Sequence, residues 1–302
     1  MSSHLLSLAD LSYADIINLL DTASDLKEKR VRGKTSSALK SRTLAMLFEK
    51  SSTRTRISFE AAMTELGGHA IYLNYKDIQL GRGESVADTA RVMSRYVHAI
   101  MARVHKHETL IELSQNATVP VINGLSDLEH PCQLLADLLT IREYKGKFKG
   151  LNFSWIGDGN NVCNSAILAC ALTGMKMTAS CPEGYEPDNE IIGKARELGG
   201  TINVIRDPMK AARKADILST DVWVSMGDEE EYDQRLRDFK PYQINSKLLE
   251  QAKHDVMVLH CLPAHRGEEI TAEVVDGPNS AVFDQAENRL HVQKALLLKL
   301  LS

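Results

Sequence analysis

Short apolar runs alternate along the chain with longer segments whose apolar positions recur at helical spacing. The short runs predict buried strands, and the longer segments predict helices. In the first half, strands are expected at 44–48, 70–73, 99–104 and 119–122. In the second half, strands are expected at 151–156, 177–181, 202–205, 217–221 and 256–260. Repeated strand–helix units of this kind predict parallel sheets with helices on both faces.

The strand–helix pattern restarts near Gly150, after a polar and basic stretch at 145–150. The restart predicts an α/β fold with two doubly wound, Rossmann-like parallel sheets joined by interdomain helices. The first domain is expected over residues 1–145 and the second over 146–285. A final apolar helix, at about 286–302, is expected to pack back on the first domain.

The composition is that of a soluble, mildly acidic globular protein. The 302 residues are 43% hydrophobic and 25% charged, with a formal net charge of −4. The chain lacks the basic excess of a nucleic-acid-binding protein, and it has neither an apolar run of membrane-spanning length nor a signal-peptide pattern. Its five cysteines form no C-x-x-C pair, which favours reduced thiols. We therefore expect a cytoplasmic location, with no nucleic-acid or membrane partner.

Hydroxyl and guanidinium groups are concentrated where the first predicted strand ends and a helix begins. The segment Ser51–Arg56 reads SSTRTR, with arginines at positions 54 and 56. A helix's first turn offers unpaired N–H groups and the positive end of its dipole, and arginine adds a planar charged fork. Ser52 could simply cap the helix while both arginines stay solvated. Two arginines in one opening turn favour an anion site instead.

Other strand ends in the first half also carry polar groups. The loop Lys76–Glu84, with two glycines, is either a mobile lid or a plain solvent turn. Arg103 ends an apolar strand, so it needs either an internal carboxylate or a bound anion as partner. Pro131 suits the first position of the next helix, which puts His130 and Gln133 near that helix's N-terminus.

Strand ends in the second half predict a different ligand. The segment Gly157–Asn161 begins like a dinucleotide fingerprint, but Val162 breaks the glycine pattern, so we reject a nicotinamide cofactor. Its two asparagines could bind a polar small molecule instead. Asp221 suits a cationic amine, although helix capping is the common alternative, and Cys261 could be mere packing. An anion in the first half and a cationic substrate in the second is the simplest interpretation.

Four motifs together resemble one enzyme family. They are Ser52–Arg56 (STRTR), His130–Gln133 (HPCQ), Asp221 with Ser225-Met226-Gly227, and His260–Pro263 (HCLP). In this combination and order they resemble the aspartate/ornithine carbamoyltransferase family. The first two motifs are shared across that family, and the last two are typical of its ornithine branch. Gln79, Arg82 and Gly83 stand where the aspartate branch has a lysine in its mobile loop.

The resemblance implies that carbamoyl phosphate and L-ornithine react to give L-citrulline and phosphate, without a metal or cofactor. It implies contacts to carbamoyl phosphate from Ser52, Thr53, Arg54, Thr55, Gln79, Arg103, His130, Pro131, Cys132, Gln133, Cys261, Leu262 and Arg289. It also implies a homotrimer or a multiple of trimers, in which Gln79 reaches the site from a neighbouring subunit. Whether the enzyme works in arginine biosynthesis or in the degradative direction stays open.

The ornithine contacts implied by the resemblance are Asn161, Asp221, Ser225 and Met226. The implied catalytic residues are Arg54, Arg103, His130, Asp221 and Cys261. Ornithine must attack through a neutral δ-amine, and the acceptor of its proton stays open between the leaving phosphate, a depressed amine pKa and Cys261.

Two alternatives remain beside this interpretation. A sister transferase acting on putrescine or N-acetylornithine would keep the phosphate motifs but lack the Ser225-Met226-Gly227 element. A non-catalytic α/β ligand-binding protein would need lost catalytic positions, yet Arg54, Arg103 and His130 are present.

Overall fold

The computed structural model describes residues 4–34, 36–225 and 229–302. The chain divides into two compact units. The first unit comprises Met1–Leu139 and Glu287–Ser302, and the second comprises Thr140–Ala286. Among the described residues, no helix combines the length and the apolar character that a membrane crossing requires.

Parallel strands form one sheet in each unit. The strands of the first unit are β1 (Thr43–Phe48), β2 (His69–Asn74), β3 (Ala99–Arg103) and β4 (Val121–Leu125). The strands of the second unit are β5 (Asn152–Ile156), β6 (Lys176–Ser180), β7 (Thr201–Ile205), β8 (Ile217–Thr220) and β9 (Met257–His260). The prediction of two parallel-sheet α/β domains is confirmed.

The helices fall between the strands, as the alternating pattern predicts. They are α1 (Tyr13–Val31), α2 (Thr53–Glu65), α3 (Val86–Met93), α4 (His107–Asn116), α5 (Pro131–Lys145), α6 (Asn161–Thr173), α7 (Asn189–Glu197), α8 (Pro208–Ala212), α9 (Tyr232–Phe239), α10 (Ser246–Leu249), α11 (Ala272–Val275) and α12 (Val282–Leu301). The boundaries between the units fall inside α5 and α12.

The first sheet has the strand order β2-β1-β3-β4. Its order reverses between β1 and β3, which are hydrogen-bonded neighbours although β2 separates them in the chain. Phe48 at the end of β1 pairs with Arg103 at the end of β3. The loops that leave these two strands diverge to opposite sides, so a crevice forms at the carboxyl ends of β1 and β3. The segment Ser51–Arg56, which we call the Ser52 junction, and Arg103 both lie at this crevice.

The second sheet has the order β7-β6-β5-β8-β9, with the reversal between β5 and β8. Trp155 of β5 pairs with Ser219 of β8, and Thr220 of β8 pairs with His260 of β9. Asp221 directly follows Thr220, and Cys261 directly follows His260, so the two residues leave neighbouring strands side by side. Both lie at the carboxyl edge of the sheet, where ligands of open parallel sheets bind.

Strand β4 begins two residues later than the apolar pattern predicts. Pro120 has no N–H to donate to a neighbouring strand, so regular pairing starts at Val121. The edge of β4 is also covered by an N-terminal segment that the pattern did not predict. Leu5 donates to the carbonyl of Val121 at 2.9 Å and accepts from the N–H of Asn123 at 2.8 Å. This pairing protects an otherwise open strand edge.

The segment 76–84 forms turns that are mostly exposed, with Leu80 as their buried residue. Short 3₁₀ helices cover Tyr75–Asp77 and Gln79–Arg82, and Leu80 is buried in the core. A Cβ atom at Gly81 would lie 2.2 Å from the carbonyl oxygen of Tyr75. Only glycine therefore allows this close approach of the two turns.

Candidate active site

The Ser52 junction opens α2 in the way the sequence predicts. Ser52 is the N-cap residue, and its Oγ accepts from the N–H of Thr55 at 3.2 Å. Thr53 and Arg54 occupy the first turn, whose N–H groups have no partner within the helix. Capping and anion binding are compatible here, because the cap uses one N–H and leaves the helix's positive end directed at the crevice.

Arg56 does not join this junction, contrary to the interpretation in which both arginines face the anion. Its Nε donates to Glu60 Oε1 at 2.9 Å, and its guanidinium carbon lies 3.9 Å from the ring centroid of Tyr72. Residues two apart on a helix point to different faces, whereas residues four apart share one. Arg56 therefore shares the face of Glu60, and Arg54 has a different orientation.

Arg289 is the centre of a buried polar cluster in the first unit. Its Nη2 donates to Thr55 Oγ1 at 2.8 Å, and its Nη1 donates to Gln133 Oε1 at 2.5 Å. Nη1 also lies 3.3 Å from His130 Nε2. All four side chains are buried, so α2, the start of α5 and α12 are joined by polar contacts inside the unit. Arg103 is buried as well, at the end of β3.

His130 is a neutral imidazole in this cluster. Burial holds its pKa well below the ordinary value of 6.5, and the charges of Arg289, Arg103 and Arg54 lower it further. Arg289 can only donate, so Nε2 of His130 accepts and the ring proton lies on Nδ1. Three guanidinium groups beside an uncharged histidine make a strongly positive, water-poor site that suits a dianion.

The lowered pKa of His130 predicts acid sensitivity of the fold. Below about pH 6.5 the unfolded chain takes up a proton at this residue and the folded chain does not. The free energy of unfolding should therefore fall as the pH falls from 7 towards 5. When it is measured by urea unfolding across this range, the free energy of unfolding should change less steeply with pH in His130→Gln than in the wild type. The difference between the two slopes should be up to about 1.4 kcal/mol per pH unit. Equal slopes in the two proteins would contradict a neutral, buried His130.

Pro131, Cys132 and Gln79 are the other residues of the first unit that are predicted to contact carbamoyl phosphate. Pro131 is the first residue of α5, where a missing N–H costs nothing. The thiol of Cys132 donates to the Asn123 carbonyl at 3.4 Å, and burial raises its pKa to about 12, so it stays protonated. Gln79 is exposed on its 3₁₀ helix, and its side chain makes no hydrogen bond to any described residue of the cluster.

Asp221 is the centre of the polar cluster in the second unit. Its Oδ1 accepts from Cys261 Sγ at 3.0 Å and from the N–H of Val222 at 2.8 Å. Its Oδ2 accepts from Asn160 Nδ2 at 2.9 Å. The Asn160 Oδ1 in turn accepts from two N–H groups at the start of α6, so it caps that helix. A buried carboxylate at the sheet's carboxyl edge is a suitable partner for an ammonium group.

Asn160, and not its neighbour Asn161, is the residue that reaches Asp221. Sequence reasoning placed Asn161 among the ligand contacts, and the structure places it half-buried as the first residue of α6. An asparagine directly before a predicted helix is an N-cap signal, which could have identified Asn160. Ser225 is half-buried, and Met226 and Gly227 lie outside the described residues.

The segment that carries Cys261 is held by a buried histidine. His260 Nδ1 accepts from the N–H of Leu262 at 2.9 Å, and Nε2 lies 3.0 Å from Glu269 Oε1. Since Nδ1 accepts, the ring proton lies on Nε2 and is donated to Glu269. Leu262 has a φ of 59°, a left-handed conformation that is uncommon for a leucine. Sequence reasoning identified Cys261 and Leu262 but missed Glu269, which no local motif marks.

Among the residues that the structure describes, two groups of side chains offer ligand atoms within 4.8 Å of one another: Asp221, His260 and Cys261, and His265, Glu268 and Glu269. In the first group both ring nitrogens of His260 already have partners, and the Cys261 thiol donates to Asp221. A metal there would have to displace these contacts, so the group favours a hydrogen-bonding role.

Arg235 fixes the chain segment that follows Asp221, although no sequence pattern marks this arginine. Arg235 on α9 pairs with Asp158 at 3.0 Å and donates to the carbonyl of Trp223 at 3.0 Å. Both charged side chains are largely buried, so removing either would leave an uncompensated charge. The pair connects the end of β5 to the segment that leads from β8 towards Ser225.

Comparisons with known proteins cover nearly the whole chain. Residues 3–143 match the family model "Aspartate/ornithine carbamoyltransferase, carbamoyl-P binding domain". Residues 149–300 match the model of the same family's Asp/Orn binding domain.

Several similar proteins are named ornithine carbamoyltransferase. Ornithine carbamoyltransferase of Archaeoglobus fulgidus is 60% identical over 298 residues, which is 99% of this chain and 97% of that protein. The Methanosarcina mazei protein of the same name is 59% identical over all of both chains. Among solved structures, ornithine carbamoyltransferase from Pyrococcus furiosus has a TM-score of 0.94 and 54% identity, covering 97% of this chain and 95% of that one. The enzyme from Thermus thermophilus has a TM-score of 0.92 and 46% identity over all of both chains.

Proposed function

The chain belongs to the aspartate/ornithine carbamoyltransferase family, and on that premise we propose that it transfers the carbamoyl group of carbamoyl phosphate to the δ-amine of L-ornithine. The products are L-citrulline and phosphate. The observation that carries the proposal is the Arg289 cluster, in which guanidinium, hydroxyl and amide groups converge beside the Ser52 junction. This set of donors suits a phosphorylated acyl group, and the name of the relatives points to ornithine as the acceptor.

The first unit would bind carbamoyl phosphate. Ser52, Thr53 and Arg54 would hold the phosphate through hydroxyl, guanidinium and helix N–H groups. Thr55, Arg103 and His130 would direct donors at the carbamoyl oxygen, where negative charge grows in the tetrahedral transition state. Donors that are already in place for such charge are typically worth about 3–4 kcal/mol each. Gln133 would accept from the carbamoyl amide, and Arg289 would contact the same ligand.

The second unit would bind ornithine. Asp221, with Cys261 beside it, would attract the δ-ammonium group, and Asn161, Ser225 and Met226 would contact the α-amino acid end. The amine has a pKa near about 10.4 by analogy with lysine, so it must lose a proton before it attacks. The Cys261 thiol already donates to Asp221. The ammonium group loses its first proton to solvent before the attack. We favour the leaving phosphate as the acceptor of the second proton, which the attacking nitrogen loses as the bond between carbon and the phosphate oxygen breaks and the phosphate becomes more basic.

We further propose a homotrimer, or a multiple of trimers, in the cytoplasm. An interface is supported by exposed apolar side chains in the first unit: Ile57 on α2 is 59% exposed, and Ile71 on the edge strand β2 is 39% exposed. In such an assembly the exposed Gln79 of a neighbouring subunit would complete the phosphate site. All five cysteines are free, which suits a reducing compartment.

Citrulline formation tests the proposed reaction. The purified protein should carbamoylate L-ornithine with a kcat/KM at least about a hundredfold above its values for putrescine, N-acetylornithine and aspartate. Putrescine and N-acetylornithine lack a free α-amino acid end and leave the polar groups built for it unpaired, and aspartate has no side-chain amine to attack. Colorimetric detection of the carbamoylated product, with each amine varied at saturating carbamoyl phosphate, gives the comparison. Activity with putrescine alone would favour the sister transferase. Binding of carbamoyl phosphate without turnover of any amine would favour a non-catalytic protein.

A further inference from the structure

Gln133 lies between two partners that can each form only one kind of hydrogen bond. Its Nε2 donates to Asp137 Oδ1 at 2.9 Å, and its Oε1 accepts from Arg289 Nη1 at 2.5 Å. All three side chains are at least 97% buried. An ionised carboxylate only accepts hydrogen bonds, and a guanidinium group only donates them. The two partners therefore determine which end of the Gln133 amide faces Arg289.

The opposite orientation of the amide would be costly. It would place the amide oxygen against the Asp137 carboxylate and the NH₂ group against the Arg289 guanidinium. Two favourable buried contacts would become two repulsive ones, in a place where water cannot compensate. Residues 133 and 137 are four apart on α5, so one face of the helix carries both the amide and the group that orients it.

We propose that Asp137 is a positioning residue for the acyl donor, acting through Gln133. It keeps Oε1 of Gln133 turned towards the Arg289 cluster, so that the site presents an acceptor to the NH₂ group of a carbamoyl donor. An acetyl donor of the same size has a methyl group at that place and gains nothing from the acceptor. Asp137 thereby contributes to discrimination between carbamoyl phosphate and acetyl phosphate. This inference rests on the proposed function.

The same contacts fix the orientation of Gln133 and Arg289 before the substrate binds. Arg289 is held on one side by Gln133 and on the other by Thr55. The series Asp137, Gln133, Arg289, Thr55 therefore extends from α5 through α12 to the first turn of α2. Groups already in their binding orientation lose less conformational entropy when a ligand binds, which raises affinity without any new contact.

Asp137→Asn tests this role, because the new amide offers both a donor and an acceptor, which leaves Arg289 as the one remaining partner that favours a single orientation of Gln133. The KM for carbamoyl phosphate should rise by up to about tenfold, the upper end of what one hydrogen bond between uncharged groups contributes. The inhibition constant of acetyl phosphate should change by less than about threefold, since its methyl group never used the acceptor. An equal rise in both constants would show a general distortion of the site and overturn the proposal.

A double-mutant cycle separates a positioning role from a structural one. In a Gln133→Ala background, Asp137→Asn should alter the KM for carbamoyl phosphate by less than about twofold, because the group it orients is gone. A full tenfold effect in that background would overturn the proposal. Asp137→Ser poses the same question if Asp137→Asn does not fold.

Glu65→Gln is the matched control within the first unit. Glu65 is also a carboxylate in a close ion pair, 2.7 Å from Lys294 Nζ, but it makes no contact with Gln133. Glu65→Gln should leave the ratio of the KM for carbamoyl phosphate to the inhibition constant of acetyl phosphate unchanged. Wild-type turnover is measured first. If the wild type forms no citrulline, the proposed function fails, whereas an active wild type with an unaffected Asp137→Asn variant refutes only the present inference.

Discussion

Arg54→Ala is expected to raise the KM for carbamoyl phosphate by about two orders of magnitude, which corresponds to losing one partner of a desolvated charge pair. Arg54 lies in the first turn of α2 and is close enough to His130 to lower its pKa. Its proposed contact is the phosphate itself, so the loss should appear in binding of the acyl donor. The KM for ornithine should change little. Steady-state kinetics with each substrate varied separately measures both constants.

Arg56→Ala is the control for this experiment. Arg56 has the same charge and lies in the same opening segment of α2, but its guanidinium group pairs with Glu60 and covers the ring of Tyr72. About half of its side chain is exposed, at 48%. Its removal should leave the KM for carbamoyl phosphate within about twofold of wild type, since exposed ion pairs contribute little. An unchanged KM in Arg54→Ala, or an equal loss in both variants, would contradict the assignment of the anion site.

Asp221→Asn is expected to lower kcat/KM for ornithine by about a hundredfold or more, while the KM for carbamoyl phosphate stays nearly constant. The substitution keeps the shape of the side chain and removes the negative charge that would attract the δ-ammonium group. It also removes one of the two hydrogen bonds that Asp221 accepts from Cys261 and Asn160, because the amide keeps a single acceptor oxygen and its NH₂ group cannot accept. The melting temperature, measured on the same samples, separates loss of function from loss of fold.

Asp216→Asn provides the matched control. Asp216 and Asp221 flank the same strand, β8, at its two opposite ends. Asp216 is also buried and accepts from Lys253 Nζ at 2.6 Å and from the N–H of Asn152 at 2.8 Å. Its loss should lower the melting temperature but leave both substrate constants near wild type, because it lies at the amino edge of the sheet. If Asp221→Asn changed only the KM for carbamoyl phosphate, the proposed division of roles between the two units would be wrong.

Much of the fold follows from local pattern. Buried strands, helical periodicity and the restart near Gly150 predict two parallel sheets, because these signals depend on residues that are neighbours in the chain. The Ser52 cap and the Pro131 helix start are local for the same reason. Where a boundary was wrong, as at the start of β4, the apolar pattern included Pro120, which has no N–H to donate to a neighbouring strand.

The sequence by itself determined which residues stand at the ends of strands, and hence that Arg54, His130, Asp221 and Cys261 are candidates for chemistry. The tertiary structure alone decided which of them touch. Arg289 and Thr55 are 234 positions apart yet hydrogen-bonded, Arg56 turns away to Glu60, and Asp137 orients Gln133 towards a helix from the other end of the chain. The physical reason is that a side chain's orientation depends on partners that burial and strand order bring together, and neither periodicity nor a motif records those partners.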